Sequence, residues 1–253
     1  EQLLKLGKPF FWTLHDMWAF TGGCHHSGDC ENFQTNCGSC KFVHKPERWD
    51  ISHRMWADKI YAFDYPNLHI ITCSDWLKSR AEKSTILAYH SIDSIPNAID
   101  TNFFQREENA KKSLHLNPDK QYILFVAMRV NTPTKGFNYL KEALQIWQNE
   151  NPAAVKNTEL LIVGNVLDTS EINALPLPST AWGHITDPAK MREIYSAADV
   201  FITPSLEENL PNTIMEAMAC GTPCVGFQVG GIPEMIDHQL NGYVAEYLSA
   251  NDL

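Results

Sequence analysis

The stretch EENLPNTIMEAMACGTPCVG, Glu207 to Gly226, holds two carboxylates, Glu208 and Glu216, separated by seven residues with Pro211 between them. A helix N-terminus attracts negative charge, so an acid in a first turn is ordinarily structural. Here one acid falls just before the turn and the other just beyond it. Pro211 suits the start of a helix, where its missing N–H costs nothing. Asn209 could cap that helix through its side chain. If it does not, the amides around Asn212 and Thr213 form an anion site strengthened by the helix dipole. Upstream, RVNTPTKG supplies Arg129 and Lys135 between a strand end and a helix start. A lone surface pair of cations is ordinarily solvated, but this loop edge is where doubly wound α/β folds bind ligands. Cations and an open helix terminus suit a phosphate or diphosphate. An acid facing that phosphate would repel it, so the two glutamates need a different task. A carboxylate accepting two hydrogen bonds suits a vicinal diol, such as a ribose or hexose edge. Diphosphate, ribose and hexose together describe a nucleotide sugar.

A second constellation lies near the start of the chain. Cys24, Cys30, Cys37 and Cys40 have the spacing C-x5-C-x6-C-x2-C, with His25 and His26 beside the first. The final C-x2-C is the pattern of a structural zinc knuckle, although the first pair is more widely spaced than usual. This glycine-rich, polar segment has almost no aliphatic residues and is expected to need a cross-link rather than burial to order it. A closed tetrahedral zinc site is the first expectation, with an iron–sulfur cluster and four free thiols as competing readings. Cys73, Cys220 and Cys224 lie in apolar surroundings and read as packing residues.

These groups need a frame, and short apolar runs alternating with amphipathic stretches predict βα units around parallel sheets. In the first half, FFWTLH (10–15) and LHIITCS (68–74) read as strands flanking a helix within PERWDISHRMWADKIYAF (46–63). The polar run REENAKKS marks a connection, and two domains are expected, 1–104 with a cysteine-rich insertion at 21–45, and 105–253. In the second, YILFVAM, ELLIVG, VFITP, PCVGF and NGYVAEY read as strands. GFNYLKEALQIWQNE, AKMREIYSAAD and NTIMEAMAC read as helices, GGIPEMI opens another, and SANDL looks like the start of one more. Phe137, Leu140, Leu144 and Trp147 share one helix face.

Composition sets the outer bounds. A hydrophobic content of 44% and a charged content of 20% describe a globular protein, and a formal charge of −10 argues against general nucleic-acid binding. No apolar run is long enough to span a bilayer. The odd cysteine total of seven fits a reducing, cytoplasmic setting better than a secreted disulfide scaffold. The chain begins at Glu1 and reads as a fragment lacking an N-terminal region.

The ordered set RV…KG, GHITD, AADVFITPS, EENLPNTIMEAMACGTPCV, GGIPEMI and NGY resembles the retaining GT-B glycosyltransferases of family four over most of residues 120–253. The resemblance implies two Rossmann-like doubly wound domains facing a cleft, the N-terminal acceptor domain being incomplete here. It implies that Arg129 and Lys135 hold the donor diphosphate, that Glu208 contacts the transferred sugar, and that Glu216 contacts the nucleoside ribose. Gly183, His184 and Ile185 would pass the base, and Asn209, Leu210, Pro211, Asn212 and Thr213 would frame the donor. His15, in TLHD, matches a histidine that approaches the reacting sugar, while Ala98 in IPNAID stands where the family has glycine. Cysteine-bearing insertions after the HD motif occur in a colanic-acid and exopolysaccharide-like subset. The implied reaction moves a hexosyl unit, with retention, from a nucleoside-diphosphate sugar to a glycan or lipid-linked acceptor in polysaccharide biosynthesis. No catalytic cofactor is expected, and the missing N-terminal region is expected to attach the protein to the inner face of the membrane.

Other classes fit less well. A glycoside hydrolase places its carboxylates on opposite sides of a bond. A dinucleotide oxidoreductase needs G-x-G-x-x-G after its first strand, and no such run is present. A GT-B sugar-nucleotide epimerase, or a degenerate zinc-stapled module that binds nucleotide sugars without turnover, remains the alternative.

Overall fold

The structure is a computed structural model describing residues 2–253, and it divides into two compact units, Glu1–Asn97 and Ala98–Leu253. The division falls ahead of the polar run expected to mark it. Phe104 packs into the second unit's core, and Arg192 donates to the Phe103 carbonyl at 3.2 Å, so residues 98–104 belong to the second unit.

In the first unit, β1 (Phe10–Leu14), β2 (Leu68–Thr72) and β3 (Ser91–Ser94) form a parallel sheet in the order β1-β2-β3. Helix α1 (Ile51–Phe63) and helix α2 (Asp75–Glu82) are the crossovers. The helical pattern of 46–63 yields a helix only from Ile51, because Asp50 takes the N-cap and accepts from Ser52 N and His53 N. Ser74 caps α2 in the same way through Leu77 N. Leu68, Ile70 and Thr72 alternate into the core, beside Leu14, Phe20, Phe33 and Leu77. The cysteine-bearing segment is irregular apart from one 3-10 turn, Asn32–Gln34. Burial does anchor it, against expectation, through one aromatic residue. Phe33 is buried, meets the Phe20 ring at 5.9 Å and lies under the Arg80 guanidinium.

The second unit continues with α3 (Ala110–Ser113), β4 (Gln121–Arg129), α4 (Phe137–Glu150), α5 (Pro152–Lys156), β5 (Thr158–Asn165), α6 (Ser170–Asn173) and β6 (Ser179–Ala181). It closes with α7 (Pro188–Ala197), β7 (Val200–Thr203), α8 (Asn212–Ala219), β8 (Cys224–Phe227), α9 (Ile232–Met235) and β9 (Gly242–Ala245). All six strands are parallel, in the order β6-β5-β4-β7-β8-β9. This is the doubly wound arrangement, with its topological switch point between β4 and β7. Tyr122 and Leu124 face a core shared with α7 and α8, while Ile123 and Phe125 face one shared with α4. Burial on both faces is why β4 and β5 read as continuous apolar runs. Phe137, Leu140 and Leu144 are buried on α4, with Trp147 packed at their edge. Cys73, Cys220 and Cys224 are all buried. Residues 250–252 form a turn in which Leu253 N donates to Ser249 O at 3.2 Å, the bond that a first helical turn makes. The Asp252 carboxylate is taken by the Tyr243 hydroxyl and the Glu246 amide. Among the described residues no helix is long and apolar enough to cross a membrane.

Candidate functional site

At the carboxyl end of β4 the register with β5 shifts between Val126 and Arg129, a bulge of the kind that re-aims a side chain. Arg129 ends exposed at the sheet rim. Lys135 closes a 3-10 turn, Pro133–Lys135, and Gly136 then turns left-handed at φ +67° into α4. A Cβ on Gly136 would collide with the Pro204 carbonyl oxygen just past β7. Leu206 N donates to Thr134 O at 2.8 Å, so the loops after β4 and β7 are joined backbone to backbone at the switch point. Gly136→Ala is therefore expected to destabilise the protein by more than the roughly 1–3 kcal/mol that a left-handed residue alone costs. Urea unfolding measures it, and a neutral result would show that this close approach is not real.

That join brings Lys135 Nζ into direct ion pairing with Glu208 Oε1, whose side chain is only 16% exposed. The sequence reading keeps the acid and the cation in separate tasks; the structure makes them one pair. Glu208 is held from behind as well. Gly230, at φ +58°, leaves no room for a Cβ against the Glu208 carbonyl, and Gly231 N donates to Asn209 O at 2.8 Å. Asn209 itself is buried, and Leu210 is half-buried. The N-cap of α8 is Pro211, whose own side chain makes no capping bond. Asn212 is exposed and Thr213 half-buried at the helix start.

Glu216 lies in the second turn of α8, half-buried, and its Oε2 accepts from the Tyr195 hydroxyl at 2.9 Å. Burial raises the Glu216 carboxyl above its ordinary range, and the Tyr195 hydrogen bond partly opposes this. Tyr195 is wholly buried on α7, edge-on to Phe201 at 6.0 Å, so its hydroxyl is fixed. Sequence reasoning names the helix that carries Tyr195 but gives that residue no part. Its only signal is a polar-tipped aromatic on the helix's apolar face. Gly183, His184 and Ile185 follow β6 at the same sheet edge, where Gly183 O accepts from Gly164 N at 2.7 Å and Gly183 is left-handed at φ +67°.

In the first unit, His15 is exposed immediately after β1. Asp16 accepts from Trp18 N at 2.7 Å and contacts His25 Nδ1 at 2.7 Å, tying this turn to the cysteine-bearing segment. Cys24, Cys30, Cys37 and Cys40 are free thiols lining one cavity of about 20 Å³. Among the described residues no three His, Cys, Asp or Glu side chains already stand in position to hold a metal. Burial pushes the Cys37 thiol up to about 11 and raises Cys24 as well, so ligation there must displace protons.

Residues 120–253, more than half of the chain, match the family described as Glycosyl transferases group 1. The chain belongs to that family. This group 1 chain is 30% identical over 167 residues to a D-inositol 3-phosphate glycosyltransferase of Segniliparus rotundus, a match covering 61% of this chain and 36% of that protein. A sucrose-phosphate synthase from Thermosynechococcus elongatus superposes with a TM-score of 0.69 at 22% identity, covering 96% of this chain and 56% of that one. The Anabaena protein HepE, solved in complex with UDP-glucose, superposes at 0.64 with 18% identity, covering 99% and 64%. At these identities the structural likeness speaks for the fold, a parallel-sheet α/β architecture with Rossmann-like units of the GT-B kind. The chain spans less than two thirds of the length of each of these proteins.

Proposed function

We propose that the second unit is the donor-binding domain of a retaining glycosyltransferase. The enzyme moves a hexosyl unit from a nucleoside-diphosphate sugar to a glycan or lipid-linked acceptor. The observation that carries this reading is the gathering of Arg129, the Lys135–Glu208 pair, Glu216 and the start of α8 around the ends of β4 and β7. Doubly wound folds bind their ligands in that crevice. The UDP-glucose complex of HepE supports a nucleotide-sugar donor.

As the donor's glycosidic bond breaks, negative charge grows on the leaving diphosphate and positive charge on the sugar. Arg129, Lys135 and the amides at the start of α8 stabilise the first more in the transition state than before it. Lys135 begins on Glu208 and turns to the diphosphate when the donor arrives. That turn frees the carboxylate toward the sugar. Glu216, steadied by Tyr195, accepts from the ribose hydroxyls. Gly183, His184 and Ile185 lie beside the base. The departing phosphate takes the acceptor's proton.

A donor panel assayed on the full-length protein, starting with uridine-diphosphate sugars, tests the reading. The expected result is a new glycosidic bond that needs an added acceptor and keeps the donor's anomeric configuration by NMR. Acceptor-independent conversion to an isomeric nucleotide sugar would make the protein an epimerase. Tight nucleotide binding with no turnover across donors and acceptors would make it a binding module.

A further inference from the structure

Four thiols from an irregular stretch of chain share one cavity wall, although no three of them yet stand within joint reach of an ion. Cys24, Cys30, Cys37 and Cys40 line a single cavity of about 20 Å³, a volume that holds one water-sized body. Backbone closeness builds the rest of the wall. A Cβ on Gly22 would collide with the Ser52 carbonyl oxygen, and one on Gly38, at φ +151°, with that of Arg48. Gly22 N donates to Cys37 Sγ at 3.1 Å, which orients that sulfur.

The surroundings are charged to match. Lys59 is 6% exposed, donates to the Trp18 and Thr21 carbonyl oxygens, and has its ammonium 3.8 Å from the Trp18 ring centroid. Among the described residues it makes no direct ion pair with a carboxylate, and it lies within electrostatic reach of Cys24, Cys37 and Asp16. A buried cation calls for a counter-charge. Four thiolates around one divalent ion carry a net charge of about −2, which adds to that of Asp16.

From the cavity, the four thiols and the buried ammonium, we infer that the first unit holds one zinc ion in a closed tetrathiolate site. Each thiol releases one proton to solvent as its sulfur bonds the metal, with no change of oxidation state. The sulfurs close on the cavity to reach Zn–S distances of about 2.3 Å. A single-ion cavity does not suit a multi-iron cluster. The site is structural, because all four positions are filled by protein. It clamps the exit of β1 to the start of α1: Cys40 N donates to Asp50, the N-cap of α1, at 2.9 Å, and Cys37 O contacts His53 Nδ1 at 3.0 Å. Through the Asp16–His25 contact the same clamp steadies the turn that carries His15.

Elemental analysis of full-length protein, purified anaerobically without chelator, is expected to give about one zinc per chain. Cobalt exchanged into the site is expected to show the thiolate charge-transfer and d–d absorption of a tetrahedral tetrathiolate, a readout that needs no variant. Cys37→Ser should lower zinc content several-fold and speed amide exchange across residues 21–45 by on the order of tenfold. Cys220→Ser, far along the chain, should change neither. Stoichiometric iron with visible absorption would overturn the zinc assignment. Metal-free protein with four reactive thiols and a protected 21–45 segment would overturn the site altogether.

Discussion

Lys135→Ala in the full-length protein is expected to lower kcat by about a hundredfold or more, the usual cost of removing one positioned donor from developing anionic charge. Arg129→Ala should fall in the same range, since both cations sit at the carboxyl end of β4. Their effects on folding should differ. Arg129 is exposed at the rim, and its removal should change stability by no more than about 0.5 kcal/mol. Removing Lys135 leaves Glu208, 16% exposed, without its cation, so this variant should be measurably less stable. Lys135→Ala paired with Glu208→Gln should regain part of that loss while staying inactive. Turnover near normal in both single variants would remove this site from the mechanism.

Glu216→Gln is expected to weaken binding of the free nucleoside diphosphate by roughly ten- to a hundredfold, from losing hydrogen bonds to a charged acceptor worth about 1.5–3 kcal/mol. Glu208→Gln should impair transfer while leaving that binding nearly unchanged or tighter, because it releases Lys135 toward the phosphates. Calorimetric titration separates the two acids, and equal losses of affinity would show their roles to be misassigned. The pH dependence has a definite sign. Burial raises the Glu216 carboxyl, so nucleotide affinity should fall on acidification at a higher pH than an ordinary carboxylate would give. Tyr195→Phe keeps the ring packing but deletes the donor that holds Glu216 ionised. It should move this fall to still higher pH. A profile unmoved by Tyr195→Phe would reduce Tyr195 to a packing residue.

Some of the frame was hidden from sequence reading for identifiable reasons. β3 reads SIDS and β6 reads STA, too short and polar to announce themselves, and both are edge strands. Edge positions are where sheets place such residues. Helix α2 has a serine cap and a first-turn acid, yet its apolar periodicity is weak over eight residues. The pairing of Lys135 with Glu208 joins positions 73 apart in the chain, and no local pattern encodes it. The hydrogen bond from Tyr195 to Glu216 depends on α7 and α8 lying side by side.

The sequence alone determined what local physics can settle. The apolar runs of β2, β4 and β5, the amphipathic face of α4, the proline at the start of α8, the two acids around that start and the four-cysteine spacing are each legible within one or two turns of chain. The tertiary structure decided which distant pieces meet. Sheet order placed the ends of β4 and β7 side by side, Gly136 and Gly230 let three loops touch backbone to backbone, and a cation and an acid assigned separate tasks became one pair. Periodicity and turn chemistry act over a few residues. Strand order and loop contact arise instead from packing both faces of one twisted sheet, which only the whole domain can satisfy.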